Sequence, residues 1–123
     1  MSGILVLVEH AAGELDRLSR EALVMASTLA PAVGGQVEAV LFGPGGADAA
    51  VARALAAHGV TSAVAVDDAR LDPYAPAAWA AAIVELIAAR SPMAVIAGGS
   101  DRGHEVLAHV AARTGRPLVT NVV

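Results

Sequence analysis

Five short runs of aliphatic and β-branched residues alternate with four stretches whose apolar residues recur at helical spacing, and this alternation constrains the fold more than any other feature. The runs cover residues 4–8, 36–42, 62–66, 93–97 and 118–123. The first and fourth are continuously apolar, the pattern of strands covered on both faces. Between them, Leu18, Ala22, Met25 and Leu29 mark one helical stripe, and Ala47, Val51, Ala54 and Leu55 a second. Trp79, Ala82, Ile83, Leu86 and Ile87 mark the third; Val106, Leu107, Val110 and Ala111 mark the fourth. Each stripe is wide enough to face a sheet.

Punctuation supports these bounds. Gly34-Gly35, Gly59 and Gly115 follow three of the helical stretches, where a helix end favours glycine. Arg90 and Arg113 sit in last turns, where a cation suits the helix dipole. Asp72-Pro73 reads as an N-cap followed by proline at the first helical position. The order β-α-β-α-β-α-β-α-β specifies an α/β fold, a parallel five-stranded sheet with helices on both faces and right-handed crossovers. Leu5, Leu7, Val40, Val64, Val95 and Ile96 are the expected buried strand positions, with Trp79 or Ile83 covering one face.

With 123 residues, the chain is expected to be one domain, residues 1–123. The absence of cysteine excludes disulfides, thiolate metal sites and a cysteine nucleophile. Eight Arg and no Lys against six Asp and six Glu give a net charge of −4, with no basic run to track a phosphate backbone. Only Phe42, Tyr74 and Trp79 are aromatic, which leaves little to stack bases on. Nucleic acid is therefore not an expected partner. The hydrophobic fraction is high, 56%, but Ala supplies 30 residues and no stretch gives about 20 uninterrupted apolar residues. No membrane insertion is expected. No basic n-region opens the chain, so the default compartment is the cytoplasm. The chain stops within strand-like residues at Val123, which reads as a cut. A strand left uncovered there is expected to promote self-association.

Ligands of open parallel sheets bind beyond the carboxyl ends of the strands. Three loops therefore matter. Glu9-His10, after the first run, offers a carboxylate and an imidazole, or a solvated strand end with a turn at Gly13. Gly43-Pro44-Gly45-Gly46, before the second helix, offers backbone N–H groups that can cradle a phosphate, or is a plain tight connection; it has no Lys and its Pro removes one donor. The third loop, residues 98–105, brings Ser100, Asp101, Arg102 and Gly103 together before a helix. Capping by Ser100 or Asp101 with an Arg102 ion pair is one account of it, and anion or nucleotide binding the other. Glu9, Ser100, Asp101 and Gly103 are the candidate binding residues. His104 and His109 are five apart, off the i, i+4 spacing of a helical metal pair, and no G-x-S-x-G elbow surrounds any Ser. No catalytic residue and no metal site is expected.

Ordered segments across the chain carry a resemblance. They are Ile4-Leu5-Val6-Leu7-Val8-Glu9-His10, Gly34-Gly35-Gln36-Val37, Gly59-Val60, Asp67-Asp68 and Tyr74-Ala75-Pro76. The most specific are Ser100-x-x-Gly103-x-Glu105-Val106-Leu107-x-x-Val110-Ala111-Ala112-Arg113 and Pro117-Leu118-Val119-Thr120-Asn121-Val122. From residue 3 to 123 the sequence resembles the N-terminal domain of the electron transfer flavoprotein alpha subunit (FixB-like) family. It departs from that family's pattern at His104 and His109, where a basic residue is usual. The resemblance implies an adenine-nucleotide hydrolase-like layer with strand order 3-2-1-4-5. It implies a heterodimer with a beta subunit, carrying electrons from flavoprotein dehydrogenases to an acceptor. FAD in that family is held mainly by a C-terminal domain of the alpha subunit, so no cofactor is expected in this chain. The expected role is scaffold and subunit interface, not catalysis. The alternative is a stand-alone nucleotide-binding module of the universal-stress-protein type. Gly99 and Gly103 have three residues between them, where that module's G-x-x-G has two.

Overall fold

The structure is a computed structural model that describes residues 3–120. Its elements are β1 (Gly3–Leu7), β2 (His10–Ala11), β3 (Glu14–Leu15), α1 (Arg17–Leu29), a 3-10 turn (Ala30–Val33), β4 (Gln36–Phe42), α2 (Ala49–Ala57), β5 (Ser62–Val66), α3 (Pro76–Arg90), β6 (Ala94–Ala97) and α4 (Asp101–Thr114). Four strands form a parallel sheet in the order β5-β4-β1-β6. Numbered by the expected runs, that order is 3-2-1-4, in agreement with the α/β reading. The fifth run is not a strand in the described residues: 118–120 are irregular, and 121–123 lie outside them.

β1 explains its own composition. Ile4, Val6 and Val8 pack with Ala22, Leu23 and Ala26 of α1 and with Val51 and Leu55 of α2. Leu5 and Leu7 point the other way, into a cluster with Trp79, Ile83 and Ile87 of α3 and Val106 and Val110 of α4. Successive strand residues face opposite layers, so a strand with helices on both sides must be apolar at every position. Leu5, Leu7 and Val40 are buried as expected, and so are Trp79 and Ile83. Val64, Val95 and Ile96 are only half-buried, contrary to expectation. They sit on β5 and β6, the two edges of the sheet, where one flank has no neighbouring strand among the described residues.

Two other expectations need correction. In α1 the buried residues are Ser19, Ala22, Leu23 and Ala26, while Leu29 is 42% exposed. The small residues face the sheet and let the helix approach it closely. In α3 the cap is Ala75 and the first-turn proline is Pro76, so Asp72-Pro73 belongs to the preceding loop. The C-cap of α3 is Ser91, held at φ 49, a left-handed position usually filled by glycine. Among the described residues, no helix is long and apolar enough to cross a membrane.

Candidate functional site

The carboxyl ends of β1 and β4, the β2–β3 hairpin and Arg102 in the first turn of α4 border a cleft of about 550 Å³. Glu9, Glu14, Asp16 and Asp72 contribute carboxylates to its lining, and Arg17, Arg20 and Arg102 contribute guanidiniums. Part of that positive charge is committed locally. Arg17 pairs with Glu21 at 3.0 Å, and the Arg102 guanidinium lies 4.5 Å from the centre of the Tyr74 ring.

Glu9 and His10 diverge, as adjacent extended residues must. His10 Nε2 lies 2.8 Å from the Phe42 carbonyl oxygen, which ties the loop after β1 to the end of β4. The expected turn at Gly13 closes a small antiparallel hairpin, β2 to β3, with Ala12 at φ 53 and Gly13 at φ 80. Positive φ at both central residues is the requirement of a type I′ turn. The Gly43-Pro44-Gly45-Gly46 segment is a turn leading into α2, with Asp48 N–H donating to the Gly45 carbonyl at 3.1 Å.

Glu9 leads the other way, to Ser100. The Ser100 hydroxyl donates to Glu9 Oε2 at 2.5 Å and accepts the Gly103 N–H at 3.0 Å. Ser100 is thus the N-cap of α4, one of the two capping residues expected. The backbone N–H of Glu9 donates in turn to the Ser19 hydroxyl at 2.8 Å, and Ser19 is fully buried in α1. Asp101 is exposed in the first turn of α4, and Gly103 is buried. The structure therefore joins Glu9, Ser100 and Gly103 in one chain of hydrogen bonds and leaves Asp101 at its solvent side. No ion pair between Asp101 and Arg102 forms among the described residues.

All three aromatic residues meet beside this cleft, an arrangement the sequence reading missed. The Phe42 and Trp79 rings stack 4.5 Å apart at 8°, and Tyr74 meets Trp79 edge-on at 5.1 Å. Trp79 Nε1–H donates to the Leu71 carbonyl at 2.8 Å, and the Tyr74 hydroxyl donates to Glu105 Oε1 at 2.5 Å. Burial of the phenol, and then the Glu105 carboxylate beside it, push the Tyr74 pKa up to about 12. Because Tyr74 is the sole tyrosine, the phenolate absorbance reports it alone. Its titration is expected near pH 12 rather than near the ordinary value of about 10, and Glu105→Gln should lower the midpoint. A group raised in the folded state contributes stability below its unfolded pKa and loses it as pH climbs through the folded value. The Tyr74 contribution is therefore complete below about pH 10 and gone above about pH 12. A wild-type midpoint near 10 would contradict the burial of the phenol together with its contact with Glu105.

Neither a metal nor a flavin is matched by these groups. Among the described residues, no three His, Cys, Asp or Glu side chains group to hold a metal. His104 and His109 are exposed, and His58 Nδ1 lies 2.9 Å from the Ala54 carbonyl oxygen. A flavin ring needs flat apolar walls. Here Phe42 and Trp79 are buried against each other, and charged side chains dominate the cleft rim.

Comparison with known proteins adds a family. The sequence model described as "Electron transfer flavoprotein domain" matches residues 4–123. An electron transfer flavoprotein subunit alpha from Mycobacterium tuberculosis (strain CDC 1551 / Oshkosh) is 30% identical over 123 residues, 100% of this chain and 37% of the relative. The subunit alpha of Mycobacterium leprae (strain TN) is 29% identical over the same length. That of Megasphaera elsdenii is 31% identical over 109 residues, 89% of this chain and 32% of the relative. The chain thus spans about a third of the length of these relatives.

Proposed function

Because the chain belongs to the electron transfer flavoprotein domain family, we propose that it serves as the N-terminal scaffold and subunit-interface domain of an electron transfer flavoprotein alpha subunit. In this reading it has no catalytic activity of its own. It supports a carrier that takes electrons from flavoprotein dehydrogenases and delivers them to an acceptor, with a beta subunit as its direct partner and the cytoplasm as its compartment. The observation that carries the proposal is the family match from residue 4 to 123. The cleft agrees with it, since its charged rim and self-stacked aromatics offer a flavin no wall.

Two measurements test this. Co-expression with an electron transfer flavoprotein beta subunit is expected to give a complex that survives size-exclusion chromatography. Titration of the isolated chain with FAD is expected to leave it colourless after desalting. Stoichiometric, tight FAD binding to the isolated chain would overturn the scaffold reading. Tight ATP binding would favour a stand-alone nucleotide module instead.

A further inference from the structure

We propose that Glu9 is the resident anion of the cleft and keeps phosphate-bearing ligands out of it. The residue is fixed at two points. Its N–H is bound by the buried Ser19 hydroxyl at 2.8 Å, and its Oε2 receives the Ser100 proton at 2.5 Å. A hydroxyl has one proton to give. Ser100 gives it to Glu9 and receives Gly103 N–H, so it holds no proton for a ligand oxygen.

The backbone on either side of Ser100 is closely packed. A Cβ on Gly98 would lie 2.7 Å from the Leu18 carbonyl carbon and oxygen, and one on Gly103 would collide with the Gly98 carbonyl oxygen. The start of α1, the exit of β6 and the start of α4 are therefore in direct contact, and Ser100 lies between the last two. A carboxylate beside the first turn of α4 is favoured by the helix dipole. A phosphate drawn to the same place would meet a negative charge already bonded there, in a cleft whose four carboxylates, Glu9, Glu14, Asp16 and Asp72, outnumber its three guanidiniums, of which Arg17 is paired with Glu21. Like charges a few ångströms apart repel strongly where solvent is partly excluded. Glu9 thus sets what the cleft rejects, and Glu9→Gln would remove the charge while keeping an oxygen to accept the Ser100 proton.

This inference concerns the chain's own cleft and does not rest on the electron-carrier reading. Its test is calorimetric titration with inorganic phosphate and with ATP at low ionic strength, after thermal melting has verified the fold of each variant. Wild type and Glu9→Asp, which keeps the charge, are expected to bind both probes weakly. Glu9→Gln is expected to bind them about tenfold more tightly or better. If Glu9→Gln does not fold, Glu9→Ala, which also removes the charge, serves in its place with the same expected direction. Wild-type binding as tight as that of Glu9→Gln would overturn the proposal. So would a folded Glu9→Gln with no gain, or an equal gain in Glu9→Asp, which would assign the effect to shape rather than charge.

Discussion

Val40→Asp is expected to leave the chain unfolded at room temperature. Val40 is fully buried in β4, paired with Leu7 of β1 on one side and Val64 of β5 on the other. Its side chain belongs to the cluster that holds Trp79, Ile83 and Val106. A carboxylate placed there has no partner. It either stays charged in an apolar layer or takes up a proton, and both routes cost several kcal/mol. Whole domains have only about 5–15 kcal/mol of stability. Val40→Ala separates charge from lost volume: removal of two methyl groups should cost about 2 kcal/mol and leave a folded protein. Val24→Asp, on the outer side of α1 where the side chain is 58% exposed, should change stability by no more than about 0.5 kcal/mol. Circular dichroism melts of the three variants check the set. A cooperative transition for Val40→Asp within a few degrees of wild type would mean that β4 does not lie between two helix layers.

The layers could be read from the chain because their signal is strong and local. β1 is apolar at every position for a physical reason, and its five residues alone announce a two-sided sheet. The α1 face was harder to read. Leu and Met dominate a hydropathy pattern, yet Ser19, Ala22 and Ala26 are the residues turned inward, with Leu23. Small side chains carry little hydropathy but permit close approach, so the stripe drawn through Leu18 and Leu29 is rotated from the true face. The edges show a similar limit. Val64 and Val95 look as buried as Val40 in sequence, and only strand order reveals that, among the described residues, their strands have one neighbour each.

Glu9 and Ser100 were each legible as candidates, one ending a strand and the other heading a helix. Their hydrogen bond was not, because 91 positions separate them. It exists because β6 pairs with β1, Leu7 opposite Ala97, which brings the two strand exits side by side. The aromatic cluster depends on the same kind of information. Phe42 leaves β4, Tyr74 lies in the loop before α3, and Trp79 sits in the first turns of α3. No spacing rule links them, yet together they seal the sheet end beside the cleft. A contact made by tertiary pairing leaves no periodic trace in the chain.

Gly103→Ala should weaken the domain by about 2 kcal/mol, although alanine is the better helix former. Within a helix, replacing glycine with alanine ordinarily gains about 1 kcal/mol. At this position the new methyl group would collide with the Gly98 carbonyl oxygen, 3.2 Å from Ser100 Oγ and 3.3 Å from Ala97 Cβ. Relief would require Gly98 to retreat, but Gly98 itself has no space: an added Cβ there would lie 2.7 Å from the Leu18 backbone. Overpacking against backbone that cannot move sits at the high end of its usual range, about 3 kcal/mol, and outweighs the helical gain. The start of α4 must then tilt away from β6. That movement pulls Gly103 N–H off Ser100 and loosens the Ser100 bond to Glu9. Gly99→Ala is the matched control, since nothing lies within 4 Å of its added methyl group, and its effect should stay within about 0.5 kcal/mol. Urea denaturation of the two variants measures the difference directly. Equal midpoints for Gly103→Ala and Gly99→Ala would show that α4 does not meet β6 and α1 as closely as described, and the geometry that fixes Glu9 would fall with it.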